Sequence, residues 1–389
     1  MNLLIVFTLI GVWELCKLGE ESDVRDGTHD SPKYFDDGYP LVTSKNLKDF
    51  GLDLSDVSLI SYKDFKSINK RSKVDIGDIL FGMIGTIGNP VQIFRDDFAI
   101  KNVALIKEQR KILNGFLIHI LKSPVFDRYI RNENAGGTQK FLALSKVRGF
   151  EFLRPNIEEQ VRIGNLFKQI DNTITLHQRK LDQLKELKKA YLQLMFPKKD
   201  ETVPRVRFAD FEDDWQLCKL GETFSIIMGQ SPNSENYTEN PDDYILVQGN
   251  SDMKNNKVVP RIWTTQVTKK AEKGDLILSV RAPVGEIGKT DYNVVLGRGV
   301  AAVKGNDFIF QQLRKMKDSG YWTRYSTGST FESINSNDIK EALINIPNKD
   351  EQQKIGDLFT HLDDAIILNQ NKLNQLKSLK KSYLQNMFI

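Results

Sequence analysis

Cysteine is nearly missing from this chain, with two in 389 residues, at positions 16 and 218. Cys16 and Cys218 cannot build a disulfide framework or a four-cysteine zinc site, so a reducing compartment is the expectation. Histidine is just as sparse. His29, His119, His177 and His361 stand far apart, without the spacing that places two ligands on one metal ion. No apolar run approaches the roughly 20 residues of a membrane-spanning helix. The opening MNLLIVFTLIGV is apolar but short, with neither a basic flank nor a small-residue cleavage site. It reads as a buried strand or an irregular start, and the whole as a cytoplasmic protein without membrane attachment. Catalytic signatures are missing too. There is no [DN]-P-P-[YF] motif for amino-group methylation and no G-x-G-x-x-G following a strand. VGEIGKT at 284–290 ends like a phosphate-binding loop, but Pro283 stands where that pattern needs its first glycine. A loop between strands is expected there, with no cofactor, no metal and no catalysis by this chain.

What is present is a duplication. WELCKLGE at 13–20 returns as WQLCKLGE at 215–222. Residues 159–196 align without gaps on 351–388, and about 23 of the 38 pairs are identical. GDILFGMIGTIG at 77–88 echoes GDLILSVRAPVGEIG at 274–288, and GGT at 136–138 falls on GST at 328–330. Between these landmarks the halves diverge. TVPRVRF, YPLVTS, YILVQG, GDLILSV and NVVLGRGVAAV are short β-branched runs cut by glycine, asparagine and aspartate, as strands are. Helices are expected around 112–131 and 307–319. With 40% hydrophobic and 27% charged residues and a net charge of +4, the chain reads as soluble, globular and mildly basic. That balance permits a polyanionic partner without requiring one.

The long repeated segments read as helices. Ile163, Phe167, Ile170, Ile174, Leu181, Leu184, Tyr191 and Met195 recur at steps of three and four, and the second copy repeats the stripe. Pro155-Asn156 and Pro347-Asn348 mark the starts, and Pro197 the first stop. Two stripe positions are polar in both copies, His177 with Asn369 and Lys188 with Lys380. Either they are tolerated imperfections, or His177 and Asn369 meet and fix the helix register. A helix of about 40 residues spans roughly 60 Å, while PKKDETVPR spans at most about 30 Å. The second helix must therefore run back along the first. The predicted fold is α+β, with two mixed α/β domains separated by a long antiparallel two-helix coiled coil. The expected division is 1–154, helix 155–197, linker 198–214, second domain 215–346 and helix 347–389. Residues inserted near Pro197 should then lengthen the spacer between two sites of recognition.

The order of these elements resembles the specificity subunits of type I restriction–modification systems over essentially the whole chain. The stretches that carry it are W-x-x-C-K-L-G-E in each half, YPLVTSKNLKD at 39–49, GQSPNSENY at 229–237, AEKGDLILSVRAPVGEIG at 271–288 and LGRGVAAV at 296–303. E-Q-x-x-I-G-x-L-F opens each long helix and KK-x-YLQ-x-MF closes it. The resemblance implies two target-recognition domains reading a split sequence in double-stranded DNA. It also implies two methyltransferase (modification) subunits bound by the paired helices, and a restriction/translocase subunit that joins them. Such a chain directs adenine methylation and cleavage but performs neither. One departure stands out: MNLLIVFTLIGVW replaces the VPRVRFADFEDDW lead-in of the second half, which bears on how the first domain's edge packs.

Base edges and phosphates are read by exposed Arg, Lys, Asn, Gln, Ser and Thr, mostly on loops over a rigid scaffold. Thr43, Ser44, Lys45 and Asn46 and the glycine-flanked Thr138, Gln139 and Lys140 are the candidates in the first half. Gln230, Ser231, Asn233, Tyr237, Gln248, Asn250, Arg261, Arg281, Arg298, Ser329 and Thr330 are the candidates in the second. The rival reading is a coiled-coil scaffold that joins two partners without nucleic acid. Its interactions would be insensitive to salt, whereas phosphate contacts weaken as salt rises.

Overall fold

The computed structural model describes residues 12–48, 51–109, 111–133, 141–198, 201–325 and 333–388. The chain divides into two compact units, Met1–Gln178 with Asn371–Ile389, and Arg179–Gln370. The cut passes through both long helices, Ile157–Leu194 and Lys349–Met387. Each unit therefore takes the head of one helix and the tail of the other, a division that tertiary contacts make and a linear domain boundary does not.

The same mixed α+β plan is built in both units. In the first, Glu14–Lys17 pairs with Glu151–Arg154, drawing the two ends of the variable segment together. A four-stranded sheet orders Val24–Asp26, Val103–Ile106, Ile79–Gly82 and Gly88–Gln92 side by side. A second orders Ala99–Ile100, Tyr39–Val42, Ser58–Ile60 and Tyr34–Phe35. In the second unit Gln216–Lys219 pairs with Leu343–Ile346, and the sheets widen to six and five strands. Strands Ile79–Gly82, Val103–Ile106, Leu276–Ser279 and Val300–Val303 are buried at every position, as sheets covered on both faces are. TVPRVRF departs from its strand-like alternation. Residues 202–208 form no strand: Pro204 has no N–H for a ladder, Val206 N donates to Leu194 O at the helix end, and Arg207 reaches Glu351 with Nε and Nη2 each 2.8 Å from a carboxylate oxygen.

The repeated helix motif has a packing reason at each letter. Asn156 and Asn348 cap the helices by accepting from Glu159 N at 2.9 Å and Glu351 N at 3.0 Å. Gln160 holds the preceding loops through Leu113 N, Lys111 O and Pro155 O, and Gln352 repeats the contact to Pro347 O. Gly164 and Gly356 let a second helix approach: a Cβ there would stand 2.8 Å from Gly115 O and 3.1 Å from Phe308 N. Ile163, Phe167, Ile355 and Phe359 fill the two cores beside them.

The polar stripe lysines make ion pairs. In the first unit Lys380 meets Asp171 and Phe388 stacks on Phe167. In the second, Lys188 meets Asp363 and Phe196 lies against Phe359. Within each unit the two helical segments therefore run antiparallel. His177 falls in the first unit and Asn369 in the second. Asn369 is buried and donates to Ala365 O, one turn back on its own helix. Pro197 is not a free joint, since Met195 and Phe196 belong to the second unit's core with Trp215 and Phe308. An insertion there would disturb that core instead of simply lengthening a spacer.

Candidate nucleic-acid interface

Parallel neighbours end at the same edge of a sheet, so the segments that follow them emerge side by side. Each unit has such a pair beside its gathered loops. Tyr39–Val42 lies parallel to Ala99–Ile100, and Tyr244–Val247 parallel to Val294–Leu296.

In the second unit the segments after these strands close on one turn, Gly297-Arg298-Gly299. Gly297 N donates to Val247 O at 2.7 Å, and Gln230 N to Leu296 O at 2.8 Å. Ser231 Oγ accepts from Arg298 N at 3.1 Å. A Cβ on Gly299 would stand 2.0 Å from Gln248 O, so the approach of the two chains requires glycine there. Val280 N donates to Gly299 O, which brings Arg281 within one residue of the turn. Arg298 and Arg281 are exposed. Gln230, Ser231, Gln248, Arg281 and Arg298 thus converge. Arg261 joins them through the buried Asp252, with Nε 2.9 Å from Oδ1, and Asp252 also accepts from Gln248 N. Asn250 opens the 3-10 turn Asn250–Asp252. Asn233 is held by its N–H to Gln266, and Tyr237 pairs with Thr264 across a strand; neither is tied to the Arg298 turn.

The first unit repeats the junction. Lys101 N donates to Val42 O at 2.8 Å, and Thr28 N to Ile100 O at 3.0 Å. Of the residues expected to read DNA here, Thr43 caps the 3-10 turn Ser44–Asn46. Asn46 turns inward: it is buried, its Oδ1 accepts from Thr43 N, and its Nδ2 donates to Asp53 O and Asp56 O. That is the role of Asp252 in the other unit. Ser44 is also buried. Lys45 is exposed and paired with Asp56 at 3.3 Å. Thr138, Gln139, Lys140, Ser329 and Thr330 lie outside the described residues.

Sequence reasoning singled out GQSPN and LGRG but missed their first-half counterparts, Thr28 to Ser31 in GTHDSP and Lys101-Asn102 in IKNVA. The signal was the glycine ahead of each loop. A Cβ on Gly27 would stand 2.4 Å from Ile100 O, and one on Gly229 2.1 Å from Gly297 O. The differing loop lengths hid it.

The enzyme-like features dissolve on inspection of the geometry. Ile287–Lys289 is a strand and not a loop, Lys289 pairs with Asp307 at 2.7 Å, and Thr290 is buried and donates to Tyr292 O. Among the described residues no group of three His, Cys, Asp or Glu is placed to hold a metal ion. No helix among them is long and apolar enough to cross a membrane. Cys16 and Cys218 sit half-buried on the two end-joining strands, and both are free thiols.

A family model for the type I restriction modification DNA specificity domain matches the chain twice, over residues 11–186 and 212–378. A sequence described as the specificity subunit of the type I restriction enzyme MjaX, from Methanocaldococcus jannaschii, is 25% identical, over 96% of this chain and 92% of its own length. The type I restriction enzyme EcoBI specificity subunit of Escherichia coli is 32% identical over a shorter stretch, 34% of this chain and 29% of that one. Among solved structures, the S subunit of a type I restriction-modification system from M. genitalium shares the fold with a TM-score of 0.66 at 15% identity, covering 98% of this chain and 97% of that one.

Proposed function

We infer function from one premise: this chain belongs to the type I restriction modification DNA specificity family. It is a sequence-specific DNA-recognition subunit of a type I restriction–modification system, and it carries no catalytic site of its own.

The finer reading is that the target is bipartite, with one half read by each unit. The observation that carries it is the duplicated junction, where three segments converge on a turn displaying a basic side chain, Arg298 in one unit and Lys101 in the other. A cation on an exposed turn suits phosphate, while Gln230, Gln248 and Thr43 offer the donor and acceptor pairs that base edges require. In this reading the long helices form an antiparallel coiled coil that sets the spacing of the half-sites and binds two methyltransferase subunits, joined by a restriction/translocase subunit. Methylation-site sequencing of genomic DNA from cells expressing the chain with those partners tests it. One interrupted motif, with two specified parts and an unread gap, is the expected result. A continuous motif, or methylation without sequence preference, overturns it.

A further inference from the structure

The first unit's junction carries a charge arrangement that the second lacks. His29, on the loop after Val24–Asp26, places Nε2 2.8 Å from Asp26 Oδ2 and Nδ1 2.9 Å from Asn102 Oδ1. Both ring nitrogens thus face oxygen acceptors, and an imidazole satisfies two acceptors only as the doubly protonated cation. Asn102 is held at φ 56°, a left-handed conformation that is uncommon outside glycine, and its N–H donates to Thr28 O at 3.1 Å. The residue before it is Lys101, whose Nζ reaches Ser31 Oγ. Asp26 also pairs with Arg71 from the helix Tyr62–Ser72. A cavity of about 310 Å³ opens between this loop and that helix, with Asp30, Ser31, Asp64 and Arg71 on its walls.

We propose that the first unit meets the DNA backbone through Lys101, with His29 as the residue that positions it. The proposal rests on the DNA-recognition reading and deepens it. Lys101 lies on the turn that corresponds to Gly297-Arg298-Gly299, one position ahead of the place of Arg298: Lys101 N bonds Val42 O as Gly297 N bonds Val247 O, and each turn is latched by the loop that begins at Gly27 or Gly229. The latch differs in chemistry. In the second unit it is Ser231 Oγ, which does not titrate near neutrality; in the first it is His29.

The charged groups around His29 decide the sign of its effect. Asp26 lies on its own segment, Arg71 on the helix, and Lys101 and Asn102 on the turn, with Asp30 and Asp64 around the cavity. Its hydrogen bond to Asp26, and then that to Asn102, raise its pKa above the ordinary histidine value, against the opposing pull of burial. While it is charged, Asp26 is balanced by two cations. When its proton leaves, the Asn102 amide must turn to keep its bond to the ring, and an extra increment of negative charge appears beside Lys101 where phosphate must come. DNA affinity through the first unit therefore falls as pH rises through this group.

The test uses the assembled complex with its methyltransferase partners and a duplex oligonucleotide carrying both half-sites as mapped by methylation sequencing. Three chains are compared: wild type, Lys101→Gln and His29→Gln, each checked by thermal melting and by retention of its partners. For Lys101→Gln the slope of log affinity against log salt should shrink by about one, the signature of one lost phosphate contact, with the methylated motif unchanged. For wild type, affinity should decline as pH rises above the ordinary histidine value of about 6.5, and His29→Gln should abolish that decline. His29→Ser, which installs the second unit's latch, should restore affinity while leaving the profile flat. An unchanged salt slope in Lys101→Gln overturns the contact, and an identical pH profile in His29→Gln overturns the positioning role. Failure of the wild-type complex to bind the duplex at all, with its partners assembled, overturns the recognition reading itself.

Discussion

Lys188 and Asp363 form the most buried of the helix-to-helix ion pairs in either unit, with side chains 5% and 18% exposed. Their neighbours make the two partners unequal. Asp363 also accepts from Gln311 Nε2 at 3.3 Å and lies 3.7 Å from Arg314 Nη1. Lys188 has Asp363 as its carboxylate, and its pKa is lowered to about 8, first by burial and then by Arg314, in spite of Asp363. Removing Asp363 strands two cations together, and breaking a buried pair from one side costs about 3–5 kcal/mol. Removing Lys188 leaves Asp363 with Arg314 and Gln311, and Lys188→Met also relieves a desolvated ammonium, so that change should stay within about 1 kcal/mol. The double variant Lys188→Met/Asp363→Leu should recover most of what Asp363→Ala loses. The equivalent pair in the first unit, Lys380–Asp171, is 20% and 39% exposed, and exposed pairs contribute about 0–1 kcal/mol. Urea unfolding followed by tryptophan fluorescence reads both units, because Trp215, Trp263 and Trp322 lie in the second and Trp13 in the first. Equal losses for Lys188→Met and Asp363→Ala would refute the reasoning, as would an Asp171→Ala loss as large as that of Asp363→Ala.

Three further outcomes are expected. Arg207→Ala leaves the Glu351 carboxylate, 0% exposed, without its bidentate partner and should destabilise the second unit by about 3–5 kcal/mol in the same assay. His119, stacked on Phe167 with its pKa lowered to about 3 mainly by burial and then by Lys380, stays neutral in the fold. The unfolded chain takes up a proton below about pH 6.5 while the folded one does not, so stability drops by up to about 1.4 kcal/mol per pH unit from there toward pH 3. His119→Gln should flatten that acid limb in hydrogen-exchange measurements on residues 114–121. Gly299→Ala, whose Cβ would stand 2.0 Å from Gln248 O, should cost the second half-site in methylation sequencing and leave the first intact.

The long helices were legible in the sequence because two independent signals coincide there, a stripe at steps of three and four and a nearly verbatim second copy. Even their caps, Asn156 and Asn348, could be placed. What escaped depends on partners distant in the chain. TVPRVRF alternates like a strand, yet Arg207 answers to Glu351, some 144 positions away. The stripe lysines looked like imperfections because Asp171 and Asp363 stand outside the stripe and become neighbours only when the helix ends fold back. Among candidate readers, composition could not separate outward from inward polar residues: Lys45 faces solvent, and Asn46 beside it is spent on its own loop. The His29 latch was hidden because its function lies in three segments that meet only in space.

The central claim is that each unit reads its half of the target independently. Residues 215–346 lie wholly within the second unit, and strands Gln216–Lys219 and Leu343–Ile346 close that stretch on itself. Exchanging 215–346 for the matching region of a relative with a different target, followed by methylation sequencing, tests the claim directly. The account predicts a motif in which one half changes while the other half and the gap between them stay as they were. A motif in which both halves change together would contradict it.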